Sequence, residues 1–187
     1  GRGALAAEWH EYNVGVDPKW KASIDTWERK AVNESDYRIA VSQKLVQYWT
    51  TRYGYTGNAY VVIPCTLNSG FKASAATEAS RISGRATLGF DTADIVLAYS
   101  GSTAGWQSFS LLKTYLSALL GQHPLVKILF LSPEDPNITA LEKEVPGRVK
   151  RAWVKHQDVP ATLAACDYGI LIREESITNE VASPTKF

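Results

Sequence analysis

Methionine is absent from the 187 residues, cysteine occurs twice and histidine three times. Cys65 and Cys166 lie far apart in apolar contexts, which excludes a disulfide scaffold and predicts two buried thiols in a reducing cytoplasm. No cluster of His, Cys and Asp has the spacing of a metal site, so no metal ion is expected. Charge of one sign is lacking too: 20 Lys and Arg stand against 19 Asp and Glu, a net +1 that gives no bulk attraction to nucleic acid. The run from Lys143 to Lys155 is the local basic exception. No stretch reaches the ~18 consecutive apolar residues of a membrane span, and no charged-then-apolar leader opens the chain. Any membrane contact is therefore expected to be peripheral. Internal repeats and low-complexity tracts are missing. The start Gly1-Arg2-Gly3, with no methionine, predicts a piece of a longer polypeptide. What is plentiful is apolar: 45% hydrophobic residues with six Trp suffice for a packed core in one domain or a domain and a half.

Taken in order, residues 4–34 carry a helical face at Trp20, Ile24, Trp27 and Ala31, with Asp17-Pro18 as its start signal. Residues 37–41 read as a short strand, and Ser42 as the cap of a helix through Leu45, Val46, Tyr48 and Trp49. Residues 59–63 read as a strand ended by Pro64, and residues 73–87 as a modest helix bridging two units. Residues 94–99 form a continuous apolar run of strand length. A small-residue loop, 100–105, follows, and then an amphipathic helix over 106–121 with a glycine stop. Strand 126–131, helix 137–145, strand 149–154, helix 159–165 and strand 168–172 complete an alternation. Strands of continuous apolar character suit a parallel sheet covered on both faces. The fold class is therefore α/β, a Rossmann-like parallel sheet, with ligands at the carboxyl ends of its strands.

Those ends hold loops 100–105, 132–135, 155–157 and 173–183. Small residues such as Gly101 and Ser102 let backbone approach a ligand, although a Gly/Ser turn is equally just a turn. Arg173, Glu174 and Glu175 directly follow the last strand, where side chains face the crevice; a solvated charged loop is the plainer alternative. Lys155 and His156 precede Asp158, read as the cap of the next helix, and His156 itself reads as an exposed loop residue. The most specific feature is Asn179 to Phe187. Ser183 suits an N-cap and Pro184 the first helical position, so the N–H groups of Thr185 and Lys186 would face outward with the helix dipole behind them. That is a phosphate-binding arrangement, though many structural helices also open Ser-Pro.

Asp167-Tyr168-Gly169-Ile170-Leu171-Ile172-Arg173, then Asn179 and Ser183-Pro184-Thr185-Lys186-Phe187, resembles the nucleotide-sugar site of glycosyltransferase family 4 and related retaining enzymes of the GT-B fold. Residues 35–42 resemble the strand and helix that close that family's first domain, and residues 62–71 the crossover into the second. Tyr99 to Ser102 with Trp106-Gln107 resembles its first glycine loop, and residues 154–160 its base-side loop. The resemblance runs through nearly the whole chain in consistent order. It implies that residues 1–70 are the terminal part of the acceptor-side domain, 71–93 a linker with a helix, and 94–187 the donor domain, cut at its end.

The implied activity is transfer of a sugar from a nucleoside-diphosphate sugar to a glycan or lipid-linked acceptor, in polysaccharide or glycoconjugate synthesis, in the cytoplasm or at the inner face of the membrane. The resemblance assigns the diphosphate to Ser183, Thr185 and Lys186 with the Gly101-Ser102 loop, and the base to main chain near Val154 and Lys155. No cofactor beyond the nucleotide-sugar co-substrate is implied. The family's cation pair after the first strand is missing, and Arg173 is the expected substitute beside the developing diphosphate charge. Of the family's two glutamates, the first would fall at Val181 and the second past Phe187; Glu174, Glu175 and Glu180 are the acids at hand. Arg173, Glu174 and Glu180 are thus the charged residues expected to act in catalysis. Arg2 and His10 are the acceptor-side residues considered, His10 more readily as a structural one. An epimerase of the same fold and a non-catalytic nucleotide-binding α/β module are the competing readings.

Overall fold

Two apolar runs, Ile95–Ser100 and Val126–Leu131, lie side by side at the heart of a four-stranded parallel sheet in the computed structural model. The structure describes residues 3–13, 17–66 and 77–184. The described chain divides into two units, one drawn from Gly1–Leu67 and Glu174–Thr185, the other from Asn68–Arg173. Among the described residues, 174–184 group with the first unit.

In the second unit, α4 (Glu78–Leu88) precedes β3 (Ile95–Ser100), α5 (Phe109–Gln122), β4 (Val126–Leu131), α6 (Pro136–Glu144), β5 (Val149–Ala152), α7 (Val159–Leu163) and β6 (Tyr168–Gly169). The strand order is β5-β4-β3-β6 with all neighbours parallel. Succession thus runs outward from β3 to β5, then returns to the other side of β3, which creates a topological switch point between β3 and β6. Both faces are covered, as parallel strands require. On one face Tyr99, Val126, Ile128 and Phe130 pack with Phe109, Leu112, Leu116 and Leu120 of α5 and Ile138 and Leu141 of α6. On the other, Val96, Leu129 and Leu131 pack with Phe90, joined by Val159 and Leu163 of α7.

Several local expectations in this unit change. The helix predicted from residue 106 begins at Phe109, because a short 3₁₀ turn, Gly105–Gln107, intervenes and Ser108 adopts a left-handed φ of 51°. Gly121 does not stop it; α5 runs through Gln122 and ends at His123. Asp158 makes no side-chain cap bond, since a 3₁₀ turn over His156–Asp158 feeds straight into α7. Strands β5 and β6 are shorter than predicted, although Ile170 N–H still donates to the Ala98 carbonyl at 2.8 Å. Cys65 and Cys166 are free and half-buried, and burial pushes the Cys166 thiol up to about 11.

The first unit contains α1 (Leu5–Glu11), α2 (Pro18–Glu34), β1 (Arg38–Ala40), α3 (Gln43–Tyr53), β2 (Tyr60–Val62) and α8 (Ile177–Val181). Asp17 caps α2 through Lys19 N–H, and Ser42 caps α3 through Leu45 N–H, both as the sequence suggested. The α2 face is rotated from the expected one: Ile24 and Val32 are buried, while Trp20 and Trp27 are exposed and meet edge to face at 6.3 Å. Helix α8 lies in a stretch read as loop. Its start is fastened by Ser176, whose Oγ accepts from Asn179 N–H, and by Glu11, whose carboxylate accepts from Ile177 N–H, Thr178 N–H and the Thr178 hydroxyl. His10 is bound to Asp25 at 2.8 Å, a structural role.

Candidate functional site

The carboxyl ends of β3, β4 and β5 open into a cleft of about 310 Å³ lined by residues that include Gly101, Ser102, Pro133, Trp153, Val154 and His156. Its floor follows from the strands. Each parallel strand delivers its last residue, here Ser100 and Leu131, to the same edge of the sheet. The loop after β3 is held at both ends of its turn. Gly101 N–H donates to the Leu131 carbonyl at 3.1 Å, and Tyr99 Oη donates to the Ser102 carbonyl at 2.6 Å. Gly101 has φ 146°, a conformation that a side chain would strain, so glycine is required for this turn. The Tyr99 ring is locked edge to face on Phe109, centroids 5.5 Å apart, and its hydroxyl is pushed up to about 12 by burial, with the charges of Arg173 and Asp135 acting in opposite senses. Tyr99 thus remains a neutral donor, and the glycine loop is preorganised.

Arg173 leaves the sheet beyond β6, across the switch point from that loop. One terminal nitrogen of its guanidinium donates to Gln107 Oε1 at 3.5 Å, while its Nε is buried without a protein partner. Gln107 is itself buried. A guanidinium with an unpartnered Nε at the carboxyl edge of a parallel sheet can donate to an anionic ligand oxygen.

Gly101, Ser102 and Val154 therefore lie together on the cleft, and His156, read from sequence as a plain exposed loop residue, lines it too. Lys155 is exposed and is not among the lining residues, although residues on either side of it contribute. Glu174, Glu180 and Ser183 belong to the first unit. Glu180 forms an exposed ion pair with Lys44 at 2.8 Å. The Glu174 carbonyl accepts from Asn179 Nδ2 at 3.2 Å, and the Ser183 hydroxyl accepts from Cys65 N–H at 3.1 Å. Thr185 and Lys186 lie outside the described residues. Sequence reasoning missed Trp153, and named Gln107 only as part of the first glycine loop, without its contact to Arg173. An apolar residue just past a strand end, and an amide just past a glycine loop, were the available signals.

Among the described residues no group of three or more His, Cys, Asp and Glu could hold a metal ion, and no helix is long and apolar enough to cross a membrane. No protein-family model matches the chain, and no curated protein matches it in sequence. Solved structures do. WaaG, a glycosyltransferase involved in lipopolysaccharide biosynthesis, superposes with a TM-score of 0.72 at 16% identity over 96% of this chain and 50% of its own. The fold is that of the GT-B glycosyltransferases. HepE of Anabaena in complex with UDP and glucose gives 0.59 at 20% identity, covering 82% of this chain and 43% of that one. A glycosyltransferase from Rickettsia africae gives 0.61 at 14%, covering 90% and 54%. The chain thus spans about half the length of the structures it matches.

Proposed function

We propose that this chain supplies the nucleotide-sugar-binding part of a glycosyltransferase that moves a sugar from a nucleoside-diphosphate donor to a glycan or lipid-linked acceptor. The observation that carries the reading is the cleft at the ends of β3, β4 and β5, lined by a loop whose turn requires glycine and by an exposed Trp, in a unit that also carries Arg173 and has a GT-B fold. HepE, which shares that fold, has been crystallised with UDP-glucose. In this reading the base enters beside Trp153 and Val154, and the diphosphate approaches the Gly101-Ser102 backbone. Arg173 then neutralises charge that builds on the leaving diphosphate as the acceptor attacks the anomeric carbon. From the sequence resemblance, Ser183, Thr185 and Lys186 are the further residues proposed for phosphate, and Glu174, Glu175 and Glu180 the candidate acids. The protein works on the reducing side of the membrane, with peripheral contact where a lipid-linked acceptor is presented.

The test is a thermal-shift titration with UDP, GDP and ADP at millimolar concentration, followed by the matching sugar nucleotides. A ligand at 100 times its dissociation constant adds about 2.7 kcal/mol to the folded state, a shift of several degrees. Absence of any shift with all three nucleotides, in this chain and in a polypeptide of the relatives' full length, would remove the donor-site reading. If the longer protein binds sugar nucleotides and retains its turnover in Arg173→Ala, the cation is not Arg173.

A further inference from the structure

Arg173 cannot hold a catalytic geometry unaided, because a long side chain beyond a two-residue strand has several rotamers to choose from. The neighbour that limits them is Gln107. It sits at the end of the 3₁₀ turn Gly105–Gln107, is 5% exposed, and offers Oε1 to the Arg173 guanidinium at 3.5 Å. Its own position is fixed by backbone. Gln107 N–H donates to the Ala104 carbonyl at 2.8 Å, Ser108 N–H donates to the Gly105 carbonyl at 3.0 Å, and the left-handed Ser108 turns the chain abruptly into α5. A buried non-glycine residue at φ 51° carries strain, and such strain persists where the surroundings enforce one geometry. The interrupted helix start presents Gln107 to Arg173; a helix running unbroken from residue 106 would alter where that side chain points. The contact is neutral to charged, so it orients the guanidinium without cancelling its charge. Nε remains buried and without a protein partner, a donor that the fold leaves unmet.

We infer that Gln107 is a positioning residue that holds Arg173 ready for the diphosphate of the nucleotide donor. The inference rests on the nucleotide reading above, and deepens it by dividing the donor's affinity between base and diphosphate. Glutamate at position 107 converts the orienting contact into an ion pair that neutralises Arg173, whereas methionine preserves volume but accepts no hydrogen bond.

Calorimetric titrations of the wild-type chain, Gln107→Glu and Gln107→Met with uridine and with UDP separate these contributions. Uridine affinity should be the same in all three proteins. UDP affinity should fall about tenfold in Gln107→Glu, the size of one charge-assisted hydrogen bond, and by a smaller factor in Gln107→Met. The wild-type gain of UDP over uridine should shrink with added salt, and that salt sensitivity should largely vanish in Gln107→Glu. A structural role alone would lower both ligands' affinities together, which would overturn the proposal. Equal UDP affinity in all three proteins would overturn it as well. If wild type binds neither uridine nor UDP, the nucleotide reading fails and this inference falls with it. Should Gln107→Glu fail to fold, Gln107→Met and Arg173→Gln carry the comparison with the same ligands.

Discussion

Replacing Asp167 by asparagine should loosen the parallel sheet at its most deeply fastened point. Arg85 of α4 is 0% exposed. Its guanidinium donates to the carbonyls of Ala165, Asp91, Thr92 and Asp94 at 3.1, 3.2, 2.9 and 2.8 Å, and to Asp167 Oδ2 at 2.5 Å. The same carboxylate accepts from Val96 N–H at 2.7 Å and from Arg81 at 2.7 Å, so it ties α4 to β3 and to the chain entering β6. Asparagine retains the shape and one acceptor. Its amide group, however, must face a donor, and Arg85 loses its only carboxylate among the described residues. Removing one partner from a buried ion pair costs about 3–5 kcal/mol. Asp167 keeps partial access to solvent and four carbonyls still serve Arg85, which places the loss near the lower bound, about 3 kcal/mol. For a chain of this size that corresponds to roughly 6–12 °C in Tm.

The pH dependence gives an independent check. Burial pushes the Asp167 carboxyl upward, but the Val96 N–H and the guanidinium groups of Arg81 and Arg85 outweigh it and hold it below the usual carboxylate range. A folded-state value below the unfolded one means that the stabilisation is complete above about pH 4 and is lost as pH falls through the folded value. Urea midpoints followed by circular dichroism from neutral pH downward should therefore show the wild-type and D167N curves converging below about pH 4. A loss under about 1 kcal/mol at neutral pH, or a gap that stays constant on acidification, would refute the account of Asp167 as the buried counter-charge.

Three further outcomes follow from the fold and the cleft. Ser42→Ala removes an acceptor for Leu45 N–H at 3.1 Å and a donor to the Val181 carbonyl at 2.6 Å, and should cost about 1–2 kcal/mol by urea denaturation. Gly54 and Gly89 share φ 69°, but a Cβ at Gly89 would lie 2.5 Å from Lys150 Nζ while one at Gly54 meets nothing. Gly54→Ala should therefore cost about 1 kcal/mol, and Gly89→Ala at least as much, with any excess in the thermal midpoint reporting how far the lysine must move. Trp153 is 73% exposed and lines the cleft, so a bound base should quench its emission. Trp153→Phe should abolish that change on titration with UDP; quenching that persists would move the base away from β5.

What could be read from the chain and what could not divide along a physical line. Strand β4 lies over Val126–Leu131 as expected, because both of its faces are covered and an uninterrupted apolar run is what such a strand requires. The loops at the carboxyl edge were legible for the same reason: alternation of strand and helix fixes which strand ends share an edge, whatever residues occupy them. Helix α8 and two polar side chains, Arg85 and Gln107, depend on polar partners far away in sequence. Helix α8 has its first N–H groups met by Glu11, more than 160 positions earlier, and no local pattern in its five residues reports that. Arg85 carries no mark in the sequence of the carbonyls and the Asp167 carboxylate that the fold brings to it. Gln107 is an ordinary amide until β6 delivers Arg173 beside it, 66 positions later. Apolar burial is non-directional and many side chains satisfy it, so it writes a periodic signal into the sequence. A buried polar group needs one partner at one distance and angle, and that requirement has no period. The residues that should decide ligand chemistry here belong to the second kind, which is why the edge that carries the cleft and the cation Arg173 were legible while the amide that meets Arg173 was not.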